Sequence, residues 1–192
     1  MQNHRSGAEP LRAIVLTGFM GAGKTTVGRM LAEDLGWDFR DLDAEIEKDA
    51  GMTVAAIFRR EGEAAFRTRE AAMLSSLLSK TGHQVLALGG GTMESASSRE
   101  LLAVAKGICT IYLSAPLEAL VQRCLEQPGA AERPVLADRE RLHTRWSQRL
   151  PYYEQSHLRV ETSTLSPRET AQHIQRLLGE RLMPGHARVS AP

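Results

Sequence analysis

Gly18-Phe-Met-Gly-Ala-Gly-Lys24-Thr25 fills each slot of the pattern G-x-x-x-x-G-K-[ST] and follows the apolar run Ala13-Ile-Val-Leu-Thr17. A polyphosphate has to be gripped without a bulky wall. Glycines at 18, 21 and 23 let backbone N–H groups turn inward, and the positive end of a following helix adds its field. Lys24 can set a point charge between the outer phosphates. The Thr25 hydroxyl can enter the shell of a magnesium ion that otherwise keeps waters and phosphate oxygens.

Other residues could act on what such a loop delivers. Phosphorylating a hydroxyl calls for a carboxylate near the acceptor oxygen, and a magnesium shell often takes a second one. Asp41 and Asp43 have the spacing for both, because in an extended segment they would point to one side. Asp43-Ala-Glu-Ile-Glu also reads as an ordinary helix N-cap with acids in its first turn, and the spacing leaves both readings open. Gly89-Gly-Gly91 lets backbone N–H groups approach a ligand, or is simply a turn.

Arg67, with Glu63 four residues before it and Glu70 three after, fits a solvated ion-pair ladder as well as a guanidinium aimed at an anion. Arg141, Arg145 and Arg149 repeat at i, i+4, a stripe of like charges that a bound anion would relieve. Arg133 lies in a stretch of small and breaker residues, Gln127-Pro-Gly-Ala-Ala-Glu-Arg-Pro-Val-Leu-Ala137. That composition suits a mobile flap whose arginine could neutralise charge on a transferring phosphate, or an exposed loop with one solvated cation.

The elements that must position these groups follow an alternating pattern. Strand candidates are Ala13 to Thr17, Trp37 to Leu42, Gln84 to Leu88, Gly107 to Leu113 and Leu158 to Glu161. Helix candidates are Lys24 to Leu35, a short one from Ala44, Val54 to Arg60, Gly62 to Ser79, Ser98 to Ala105, Pro116 to Glu126, Asp138 to Gln155 and Pro167 to Leu182. Strands alternating with helices imply an α/β fold with a five-stranded parallel sheet, where ligands collect just beyond the strand ends.

The chain has 192 residues, 42% of them hydrophobic, enough for one core. One domain over 10–183 is expected, with loose tails at 1–9 and 184–192. A net charge of +1, and no aromatics interleaved along the arginine stripe, argue against nucleic acid. Cys109 and Cys124 have no nearby Cys or His and read as core residues. No stretch is apolar enough to span a bilayer and the N-terminus has no apolar signal core, so a cytoplasmic protein without membrane contact is expected.

In their order and spacing, Gly18 to Gly28, Asp41-Leu-Asp43, Gly62-Glu-Ala-Ala-Phe-Arg67 with Glu70, Leu88-Gly-Gly-Gly91 and Arg133-Pro134 resemble the shikimate kinases, over roughly residues 12 to 180. The resemblance implies a three-layer P-loop kinase fold like that of the nucleoside monophosphate kinases, with a substrate-binding segment at about 41–70 and a mobile lid at about 126–138. It implies transfer of the γ-phosphoryl group of ATP to the 3-hydroxyl of shikimate, with Mg²⁺, by a monomer. Asp43, Lys24 and Arg133 would be catalytic. Gly21, Ala22, Gly23, Lys24, Thr25, Thr26 and Arg133 would bind ATP, and Thr25 and Asp41 would hold the metal. Asp43, Arg67, Gly90 and Arg149 would bind shikimate, with Glu70 orienting Arg67.

Some shikimate kinases carry an arginine near the adenine just before the final helix. Thr162-Ser-Thr-Leu-Ser-Pro167 has none, so the resemblance carries no adenine contact over. The nearest rival is a gluconate kinase, against which Phe66-Arg67 with Asp41-Leu-Asp43 argues. A GTPase would need Asn-Lys-x-Asp, and the chain's one asparagine is Asn3. A nucleotide-binding module without turnover is disfavoured by the presence of Lys24, Asp43 and Arg133 together.

Overall fold

The computed structural model describes residues 10–126 and 138–179. Strands β1 (Ala13–Thr17), β2 (Asp38–Asp41), β3 (Gln84–Ala87), β4 (Ile108–Ser114) and β5 (Leu158–Glu161) form one parallel sheet in the order β2-β3-β1-β4-β5. Every residue of β1 and β3 is buried. Their continuous apolar runs suit central parallel strands covered on both faces, whereas the polar strands β2 and β5 take the half-exposed edges. Leu16 of β1 pairs with Ala87, and Asp41 of β2 pairs with the same residue. The carboxyl ends of these three strands therefore finish level, beside the point where the order reverses between β3 and β4.

The helices are α1 (Lys24–Leu35), α2 (Leu42–Ala50), α3 (Val54–Ser79), α4 (Ala96–Val104), α5 (Leu117–Leu125), α6 (Arg139–Tyr153) and α7 (Pro167–Leu178). α1 packs against α7 and the β2–β3 side of the sheet, while α3 packs against both α2 and α4. Gly36 ends α1 in the left-handed conformation with its N–H on Ala32 and Glu33 carbonyls, as its place after the apolar run predicts. α7 opens with a capping box between Ser166 and Glu169 and proline at its first position.

Several boundaries differ from the expected ones. α2 starts at Leu42 rather than Ala44, because Asp41 supplies the cap. The two helices expected on either side of Glu61 are present within the span α3, separated at Gly62, where the backbone leaves helical geometry with φ 81° and ψ 173°. A 3₁₀ turn at Thr92–Glu94, which no periodicity announces, follows the triple glycine. α7 ends at Leu178 on Gly179, and the remainder of its expected span, 180–182, lies outside the described residues. So do both expected tails and the lid segment 127–137 with Arg133. Cys109 and Cys124 are core residues, as expected. Among the described residues no helix is long and apolar enough to cross a membrane.

Candidate active site

The loop after β1 has the backbone its glycines were expected to permit. Gly18, Gly21 and Gly23 stand at φ 142°, 77° and 86°, and a Cβ on Gly21 would lie 2.3 Å from the Leu120 carbonyl oxygen. α1 begins directly on Gly23 with no side-chain cap and no acid in its first turn, so nothing anionic competes for its leading N–H groups. Lys24 folds back, its Nζ donating to the carbonyls of Gly18 at 2.8 Å and Phe19 at 3.1 Å. Burial lowers the ammonium pKa to about 8, with Asp43 and Asp41 pulling the other way. Gly21, Gly23, Lys24, Thr25 and Thr26 all line the cleft. Ala22 is buried behind them and donates its N–H to the Phe19 carbonyl.

Asp41 closes β2 and caps α2. Its Oδ1 accepts from the Ala44 N–H at 3.4 Å, and its Oδ2 accepts from the Thr25 hydroxyl at 2.8 Å. Asp41 and Asp43 do not share one side of an extended segment, and Asp41 rather than Asp43 is the cap. The backbone turns helical at Leu42, which leaves Asp43 in the first turn of α2. Both carboxylates nevertheless line the cleft. Burial raises the Asp43 pKa to about 6, reinforced by Asp41 and Glu70 and opposed by Lys24.

The triple glycine forms the opposite wall, with Gly90 and Gly91 lining the cleft. A Cβ on Gly89 would sit 2.7 Å from Asp43 Oδ1, and one on Gly91 would sit 2.7 Å from Arg67 Nη2. Each glycine thus admits a charged side chain against the main chain, which goes beyond the needs of a turn. Gly90 has nothing closer than 3.8 Å to such an atom, and its carbonyl accepts from the Tyr153 hydroxyl.

Arg67 makes the expected ladder. It donates to Glu70 at 2.7 Å and Glu63 at 3.3 Å, and the buried Glu70 accepts in turn from Thr92 Oγ1 at 2.7 Å. That ladder aims the guanidinium. Of the arginine stripe on α6, only Arg149 lines the cleft. Its guanidinium lies over the Phe19 ring at 5.7 Å, its Nη2 meets Glu94 Oε2 at 2.7 Å, and its Nε is buried without a partner. Glu94 Oε2 is also 3.8 Å from Arg67 Nη2.

Glu94, Thr92 and Tyr153 are the residues that pattern reasoning missed as parts of this site. Nothing in the pattern around Glu94 marks it, because its position depends on the unannounced 3₁₀ turn. Among the described residues no cluster of three or more His, Cys, Asp or Glu side chains could hold a metal by itself. The one hydroxyl and one carboxylate at Thr25 and Asp41 instead fit an ion that keeps waters and phosphate oxygens, as magnesium does.

The cleft encloses about 590 Å³, within the range of small-molecule sites, and is lined by both signs of charge. The family model for shikimate kinase matches residues 20–178. A shikimate kinase of Acinetobacter baumannii is 43% identical over 171 residues, spanning 88% of this chain and 93% of that one. A shikimate kinase of Persephonella marina is 38% identical over 165 residues, spanning 85% and 97%. The solved structure of shikimate kinase from Acinetobacter baumannii in complex with shikimate superposes with a TM-score of 0.78 at 41% identity, covering 88% of this chain and 93% of that one. Such identity along nearly the full length of these relatives, joined to a cleft where the phosphate loop, Asp43 and Arg149 meet, establishes that this chain belongs to the shikimate kinase family.

Proposed function

We propose that Lys24, Asp43, Arg67, Gly90 and Arg149 divide among them the transfer of the γ-phosphoryl group of ATP to the 3-hydroxyl of shikimate, giving shikimate 3-phosphate and ADP. The observation that carries this division is the arrangement of charge across one cleft. A phosphate loop and a carboxylate of raised pKa stand on one side. On the other, Arg149 lines the cleft and Arg67 lies against Gly91, their guanidiniums 2.7 Å and 3.8 Å from one Glu94 carboxylate oxygen. A hydroxylated carboxylic acid held by the arginines has a hydroxyl to present to Asp43.

In this reading Arg67 and Arg149 take the carboxylate of shikimate and Gly90 offers it a backbone N–H. Asp43 orients the acceptor hydroxyl and accepts its proton while the oxygen's electron pair forms the bond to the γ-phosphorus. The bond from that phosphorus to the bridging oxygen breaks, and its electrons leave with ADP. Lys24, whose present partners are two loop carbonyls, turns its charge to the phosphates. Gly21, Gly23, Thr25 and Thr26 with the start of α1 cradle the nucleotide. Thr25, and Asp41 through water, would hold Mg²⁺, which draws off charge from the phosphate oxygens when bound. Arg133, outside the described residues, is assigned on the family pattern as the lid arginine. The reading places the enzyme in the cytoplasm, as a monomer.

The test is ADP release by the purified protein with magnesium and ATP, with shikimate, gluconate or quinate as acceptor. A rate that depends on shikimate and exceeds the others supports the reading. ATP binding without any acceptor-dependent release would leave a nucleotide-binding module of the same fold.

A further inference from the structure

Glu94 brings a third carboxylate to a pair of guanidiniums that a substrate carboxylate would have to reach. Counting Glu63 and Glu70, Arg67 and Arg149 already face three acids, Glu63, Glu70 and Glu94, so the group is over-neutralised before any ligand arrives. A fourth carboxylate entering that field would be repelled. Glu70 cannot leave, being buried and bonded to both Arg67 and Thr92. The Glu94 side chain is 32% exposed, so it has a path to solvent. Its backbone has none, because Arg99 donates to the carbonyls of Met93 and Glu94 at 2.8 Å each and lies 4.4 Å over the Tyr152 ring of α6.

We propose that Glu94 is a resident counter-ion of the acceptor site: it occupies the arginine pair in the free enzyme, and the acceptor's carboxylate displaces it by rotation of its side chain alone. This rests on the assignment of Arg67 and Arg149 as carboxylate ligands. Orientation of the arginines does not depend on Glu94. Arg67 is aimed by Glu70, and Arg149 is only 11% exposed and packed over the Phe19 ring. The charge of Glu94 therefore competes with anionic ligands without being needed to preorganise the site. The cost falls equally on the substrate complex and the transition state, so it belongs in KM rather than kcat. Its benefit is that stray inorganic anions meet an arginine pair that is already satisfied.

Glu94→Gln tests this, because it removes the charge yet keeps an amide oxygen to accept from Arg149. ATP affinity serves as the check on folding. We expect the KM for shikimate to fall about fivefold, the size of one partly exposed ion pair. Inhibition by inorganic sulfate, competitive with shikimate, should tighten by a similar factor. The methyl ester of shikimate, which carries no charge, should gain much less. An unchanged or raised KM for shikimate with unchanged sulfate inhibition would overturn the proposal. Arg149→Ala, assayed alongside, separates the two failures. If it raises KM while Glu94→Gln has no effect, the arginine assignment stands and the counter-ion role falls. If Arg149→Ala leaves KM unchanged, the assignment fails and the counter-ion role goes with it.

Discussion

Asp43 and Lys24 are opposed charges held in one partly buried cleft, and burial shifts them toward each other, to about 6 and about 8. Productive binding needs the carboxylate ionised and the ammonium charged. The kcat/KM profile, which reports the free enzyme, should therefore be bell-shaped, with limbs near pH 6 and pH 8. Asp43→Asn should lower turnover at least ~100-fold with ATP affinity nearly intact, as loss of a general base does. The same substitution has a consequence for stability. The raised pKa of Asp43 means that the folded state binds its proton more tightly than the unfolded state. That contribution is fully present below pH 3.8 and is lost as pH rises through 6. Thermal unfolding of Asp43→Asn should show a gain over the parent at pH 7.5 and none at pH 4; a gain of equal size at both would refute burial of the charge as the cause. Gly90→Ala belongs to the same scale. With no atom closer than 3.8 Å to the added methyl, the fold should tolerate it, and the methyl should raise the KM for shikimate by occupying the cleft wall.

Three elements meet at the acceptor side, and their joints decide what the side chains can do. Tyr153, in the last turn of α6, donates its hydroxyl to Gly90 and stacks on Tyr112 of β4 at 5.2 Å. This ties the triple-glycine strip to the far half of the sheet. Tyr153→Phe leaves a partly buried carbonyl without that partner, a loss of about 1 kcal/mol in stability. It should also raise the KM for shikimate more than that for ATP, because the strip it anchors faces the acceptor. Urea unfolding and steady-state kinetics read the two effects separately. Asp41 is another such joint, ending β2, capping α2 and holding Thr25 of α1. Much of this level was legible early: the sheet strands, the break at Gly62 and the stop at Gly36 follow from periodicity and glycine placement. The cap at Asp41 and the 3₁₀ turn were not: Asp43 offers the same local cap pattern two residues on, and a three-residue turn is too short to show a period.

The monomer proposed above is a statement about the molecule as a whole. The exposed large hydrophobics among the described residues, Val104, Leu125 and Leu177, sit on three different helices, α4, α5 and α7. Light scattering of the purified protein should return a mass near 21.1 kDa, and a value twice that would overturn the monomer assignment.

The sequence by itself determined the phosphate loop, the alternation of strands and helices, and the family to which the motifs point. These are local matters, since a loop that needs three glycines, or a helix with one apolar face, is written in consecutive residues. Arg67 shows the limit. Its helical neighbours favour a solvated ladder over a ligand, and only packing shows that the ladder's inner acid is buried against Thr92. Arg149 was one of three cations at equal spacing until the fold placed the end of α6 beside Phe19 of the phosphate loop and the triple glycine. Glu94 became visible only there. Charges separated along the chain interact through space, and the distances between them are set by the fold.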